Sequence, residues 1–145
     1  MFKHVLLPTD GSPQSEAAVR QGIALAKEQQ ARVTGIHVVP EFHVFTYHPD
    51  MLEDTRAEYE RDSKAQATKI LAAVEDAARA AGVPCDTVCA TNDEPYEAII
   101  KTADEKGCDL IAMASHGRKG MKGLLVGSET QKVLTHSHQP VIVLR

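Results

Sequence analysis

The chain has 145 residues, the commonest size for one domain, and its 43% apolar and 25% charged content suits a globular core that needs no disulfide or metal. With 20 acidic against 16 basic residues the formal charge is -4, which excludes a general nucleic-acid or anionic-membrane surface. Tryptophan is absent and aromatics make up 4%, so neither an aromatic-lined pocket nor a base-stacking platform has much to be built from.

The cysteines, Cys85, Cys89 and Cys108, are odd in number and form no C-x-x-C pair, which predicts a reducing compartment. Phe2 to Leu7 is too short and too charged for a signal sequence, and no run approaches the roughly 18 apolar residues of a membrane span. A cytoplasmic protein is expected.

Phe2 to Leu7 reads as a buried strand stopped by Pro8-Thr9-Asp10-Gly11-Ser12-Pro13. A helix follows, with Ser12 as N-cap, Pro13 at its first position, and Val19, Ile23 and Ala26 recurring on one face. Val33 to Val39 is the next β-branched run, completing a strand–helix–strand unit.

Pro40 to Asp50 is the longest irregular stretch, ahead of an Ala- and Glu-rich helix from about Met51 to Ala81 that Gly82 and Pro84 stop. Cys85 to Ala90 is a weak strand. Pro95 opens a helix carrying Ala98, Ile99 and Ala103 that ends at Gly107, and Leu110 to Ala114 is the fourth strand. A glycine-rich segment leads to a helix from Ser128 to about Ser137 and to the closing strand Val141 to Leu144. Strict alternation, with strands apolar on both faces, predicts an α/β domain: a parallel sheet doubly wound by helices through right-handed crossovers.

In such sheets ligands bind beyond the carboxyl ends of the strands, where strand order reverses. That rule selects Ser115 to Ser128, which holds Gly117, Gly120, Gly123 and Gly127 and feeds a helix. Residues without a Cβ let amide N–H groups approach phosphate oxygens, and a helix N-terminus adds unsatisfied donors and partial positive charge. Arg118, Lys119, Lys122 and Lys132 stand against Glu129 alone, a local basic bias in an acidic chain that also suits a solvated face. The plainer reading of the helix start is that Gly127 makes the turn while Ser128 caps the helix, with Gln131 completing an S-x-x-Q box. No G-x-x-x-x-G-K-[ST] occurs and no G-x-G-x-x-G follows the first strand, which sets aside a P-loop NTPase and a dinucleotide-dependent oxidoreductase.

These residues resemble the universal stress proteins, across residues 1–145 as one domain. ATP-binding members carry G-x2-G-x9-G-[ST]; here Ala114-Ser-His-Gly117, nine residues, then Gly127-Ser128 match all but the first glycine. Val5 to Ser12, His37-Val38 and Pro140 to Val143 also look like the family. The resemblance implies strand order 3-2-1-4-5. It implies ATP, with Pro8, Thr9, Asp10, Val38 and Met113 around adenine and ribose, and Gly117, Gly127, Ser128 and the Glu129 amide on phosphates. It also implies a homodimer through strand 141–144, which in this order is an apolar edge. Ala114 departs from the pattern: a positive φ there would cost alanine about 1 kcal/mol, whereas a need for close approach alone tolerates a methyl.

Asp10 suits a magnesium-linked contact, and equally a turn in which its side chain bonds the following backbone. His43 with His48 and His136 with His138 lack metal-site spacing; the latter two fit helix-end dipole complements, and His37 a packed or hydrogen-bonded role. Cys85 and Cys89 share one strand face about 13 Å apart, too far for a disulfide. The function expected is an ATP-binding regulatory stress protein with no or slow hydrolysis. The alternatives are an ATPase or phosphoryl-transfer enzyme, and a ligand-free interaction protein.

Overall fold

The computed structural model describes residues 1–43, 49–117 and 126–145, with side chains of 49–54 excepted. Gly120, Gly123, Arg118, Lys119, Lys122 and His48, singled out in the sequence, lie outside the described residues. Those described form β1 (His4–Pro8), α1 (Pro13–Gln29), β2 (Arg32–Val39), α2 (Pro49–Ala81), β3 (Cys85–Thr91), α3 (Pro95–Lys106), β4 (Leu110–Ala114), α4 (Ser128–His136) and β5 (Val141–Leu144). The sheet is parallel throughout and ordered β3-β2-β1-β4-β5, the doubly wound α/β arrangement expected.

Successive strand residues point to opposite faces, and each face has its own core. Val5, Leu7, Val33, Leu110 and Ala112 meet Val19, Ile23 and Ala26 of α1 and Val74 and Ala78 of α2. Leu6, Ile36, Ile111 and Met113 meet Ile99 and Ala103 of α3 and Val133 of α4. Helix α2 approaches closely because Gly35 has no side chain: a Cβ there would lie 2.9 Å from Val74 Cγ1.

Element boundaries differ from the sequence reading by one or two residues. β1 begins at His4, because the backbone amides of Lys3 and His4 are drawn to the Asp109 carboxylate at 2.8 and 3.0 Å. α2 starts at Pro49, whose fixed φ suits the first turn of a helix, and β3 continues to Thr91 with Asn92 N–H donating to Val39 O at 2.9 Å. α4 ends at His136. Among the described residues no helix is long and apolar enough to cross a membrane.

Strand β1 pairs with β2 on one side and β4 on the other, so chain direction across the sheet reverses between β1 and β4. The crevice rule points to the carboxyl ends of these two strands.

Candidate functional site

The turn leaving β1 is held by a closed set of short side chains. Ser12 caps α1, its Oγ accepting from Ser15 N at 3.2 Å, with Pro13 following as expected. Asp10 Oδ1 accepts from Ser12 N at 2.9 Å and from Ser15 Oγ at 2.8 Å, so the carboxylate is locked onto the start of the helix. Gly11 adopts φ 80, the left-handed region that a side chain would strain. Thr9 N–H donates to Ile36 O at 2.9 Å, and His37 Nδ1 donates to Thr9 O at 2.9 Å, tying the turn to β2. His37 is thus hydrogen-bonded.

The second wall follows β4. Ser115 N–H donates to Leu144 O at 3.0 Å, while Ser115 O accepts from Gly127 N–H at 2.6 Å, which returns the chain to the sheet. Thr130 Oγ1 donates to Ala114 O at 2.9 Å. Gly127, not Ser128, is the N-cap of α4, and no side chain caps it; Ser128 is the first helical residue. Gln131 Nε2 donates to Val126 O at 2.9 Å, so the S-x-x-Q capping box is not formed. A glycine cap without a side-chain acceptor leaves the first amides of α4 to an outside partner, with the helix dipole behind them.

The two walls meet. A Cβ on Gly117 would overlap Asp10 Oδ2, and one on Gly127 would come within 3.1 Å of Ser115 O and 3.5 Å of His116 Cα. Both positions are thus crowded, Gly117 by a side-chain oxygen and Gly127 by backbone. Ala114 sits inside β4, 8% exposed, and among the described non-glycine residues only Gln30 has positive φ. The strain that would have penalised alanine does not arise.

The remaining expected residues divide by burial. Pro8, Thr9, Met113 and Ala114 are buried, Asp10, Val38, Gly127 and Glu129 half-buried, and Gly117 and Ser128 exposed. Met113 packs among Leu6, Ile36 and Val133, and Val38 lies at the margin of the same cluster. The Glu129 carboxylate turns away from its amide, accepting from Tyr96 N at 3.2 Å and Lys132 Nζ at 3.3 Å. Lys132 is consequently not a free cation. Hydrogen bonds and charge from Glu129 and Glu94 raise its pKa above the usual lysine value.

One polar group went unnoticed in the sequence. Among the described residues, His116 Nε2 is buried with no hydrogen-bond partner, while Nδ1 lies 3.2 Å from Ser115 Oγ. It occupies an unspecified spacer position of the glycine pattern, so only its burial beside Gly127 distinguishes it. A buried ring nitrogen without a partner is costly unless a ligand or water completes it. Separately, the first amides of α4, with no side-chain cap and the helix dipole behind them, are donors that suit an anionic group such as phosphate.

Comparison with known proteins agrees with this architecture. The model of the Universal stress protein family matches residues 1–145. The chain is 36% identical to Universal stress protein YxiE of Bacillus subtilis, with 100% of both chains covered. It superposes with a TM-score of 0.84 on MJ0577 of Methanocaldococcus jannaschii, at 28% identity, covering 99% of this chain and 96% of that one. A universal stress protein solved in complex with cAMP shares the fold at a TM-score of 0.73, at 23% identity, covering 99% and 97%. The chain belongs to the universal stress protein family.

Proposed function

We propose that this chain is an adenine-nucleotide-binding regulatory protein of the stress response, cytoplasmic and dimeric, with no or slow hydrolysis. ATP lies at the carboxyl ends of β1 and β4. Adenine and ribose face Pro8, Thr9, Asp10, Val38 and Met113. The phosphates take the backbone of Ala114, Gly117 and Gly127, the Ser128 hydroxyl and the Glu129 amide, with Mg²⁺ reached through Asp10.

The observation that carries this reading is the glycine cap of α4, which has no side-chain hydrogen bond and faces a turn where Gly117 is packed against Asp10. A helix start built in this way favours an anion. The cAMP complex of a protein with the same fold supports adenine as the base. Hydrolysis needs a water-positioning group besides the metal-held phosphate. Asp10 is the one carboxylate proposed for the site, since that of Glu129 is tied to Tyr96 and Lys132, which favours binding over turnover.

The dimer is supported by β5, an apolar edge strand. The carbonyls of Pro140 and Leu144 bond Ile111 and Ser115, so alternation turns the backbone groups of Val141 and Val143 outward. Calorimetry with ATP, and mass spectrometry of small molecules released from fresh protein, test the nucleotide. Binding that disappears in Gly127→Val supports the site; no affinity up to millimolar ATP overturns it.

A further inference from the structure

We propose that Glu41, His43 and Asp93, just beyond the carboxyl ends of β2 and β3, form a site for one divalent transition-metal ion of the zinc type. Each side chain offers one ligand atom, and these atoms lie within 4.8 Å of one another. All three are exposed. An imidazole with two carboxylates is the nitrogen–oxygen donor set that borderline divalent ions prefer, and three protein ligands leave a fourth position for water.

The ligands come from segments that are fixed before any ion arrives. Asn92 N–H donates to Val39 O at 2.9 Å, and Glu41 N–H donates to Asp93 Oδ1 at 2.9 Å, which clamps the chain leaving β2 to the chain leaving β3. Tyr59 O–H donates to Pro40 O at 2.6 Å, and its ring lies 5.3 Å from that of Phe42, anchoring the residues between the ligands to α2. The other oxygen of Asp93 is thereby presented to His43 Nε2, at 2.5 Å.

Two ligands on one tetrahedral zinc ion lie about 3.3 Å apart. Insertion therefore opens the His43–Asp93 contact by under about 1 Å and draws Glu41 inward. The ion replaces the hydrogen between His43 Nε2 and Asp93, which passes to Nδ1 or to solvent, and the second carboxylate balances its charge. An isolated surface His–Asp pair needs no third ligand and contributes little.

The test uses the whole chain and Zn²⁺ alone. Calorimetry is expected to show one equivalent bound, and Co²⁺ in its place to give the visible bands of a four-coordinate site. His43→Ala and Asp93→Asn are expected to weaken Zn²⁺ at least about tenfold while leaving ATP affinity and the circular dichroism spectrum unchanged. His136→Ala is the control and retains full affinity. Absence of one-equivalent binding, equal binding by His43→Ala, or equal loss in His136→Ala would overturn the assignment and leave an exposed ion pair.

Discussion

A methyl group on Gly117 would overlap Asp10 Oδ2, so the turns after β1 and β4 keep their present fit only when residue 117 has no side chain or the Asp10 carboxylate moves. Making room shifts Asp10 Oδ2 and so disturbs the carboxylate whose Oδ1 accepts from Ser12 N and Ser15 Oγ, bonds contributing about 1 kcal/mol each. Gly117→Ala is expected to raise the dissociation constant for ATP at least about tenfold, or about 1.4 kcal/mol, with the thermal midpoint within a few degrees of wild type. Unchanged affinity by calorimetry would show that the Asp10–Gly117 contact lies outside the binding surface.

Gly35 is a purely structural counterpart. Its added Cβ would stand 2.9 Å from Val74 Cγ1 and 3.3 Å from Val74 Cβ, in the middle of the sheet under α2. Gly35→Ala is expected to cost about 1–3 kcal/mol, lowering the thermal midpoint by several degrees. The companion change Val74→Ala should restore part of that loss in the double variant; strict additivity would argue against this contact as the cause.

Acid sensitivity has two separable sources at the amino ends of the strands. His4 Nε2 meets Thr34 Oγ1 at 2.6 Å, Thr34 Oγ1 donates to Asp86 Oδ1 at 2.5 Å, and Lys106 Nζ bonds Asp86 Oδ2 at 2.8 Å. Burial, reinforced by the Arg32 charge, holds His4 below the ordinary 6.5. Burial pushes Asp86 upward, but the hydrogen bonds from Lys106 and Thr34 and the charges of Lys106 and Arg32 prevail, and its pKa falls below 3.8.

Both folded-state pKa values are depressed, so the unfolded chain binds more protons and stability is lost as pH falls. The urea midpoint should begin to decline as pH falls below about 6.5 through His4, and again below about pH 4 through Asp86. His4→Gln should flatten the first decline and Asp86→Asn the second. A midpoint identical at pH 7 and pH 5 in wild type would contradict the His4 assignment.

Strand β5 offers a clean test of the dimer. Val143→Pro removes an outward N–H without touching the bonds that Pro140 and Leu144 make to β4. With the dimer proposed above, sedimentation is expected to show a dimer for wild type and a monomer for Val143→Pro at the same concentration, with far-ultraviolet circular dichroism retained. A dimer that persists would move the interface to another surface.

Most of the fold was legible because it rests on local signals. Ser12-Pro13 states where α1 begins, Gly107 where α3 ends, and β-branched runs mark the buried strands. The site was legible only as far as its glycines. Gly117 and Gly127 have spacing that a linear reading detects, but the reason for Gly117 is Asp10, more than one hundred residues away in the chain.

What escaped follows the same rule. The basic bias counted Lys132 as available, although Glu94, distant in sequence, neutralises it together with Glu129. His43 was compared with its histidine neighbours, whereas its partner is Asp93, brought close by the pairing of β2 with β3. Ser128 looked like a cap because sequence shows the hydroxyl but not that Gly127 already holds the capping position.

The place of β1 at the centre of the sheet also sets the order in which the protein can be made. Its pairing with β2 closes within the first forty residues, but its other edge waits for β4, with His4 and Asp109 separated by 105 positions. Until α3 and α4 emerge, Leu6 and Ile36 have no helices over them, so the nascent chain carries an open strand edge beside an uncovered apolar face. Non-local parallel pairing of this kind folds slowly. The segment from α3 to β5, which follows the other elements in the chain, therefore both covers that face and fills the remaining sheet positions, so a chain interrupted before it is the species most exposed to aggregation.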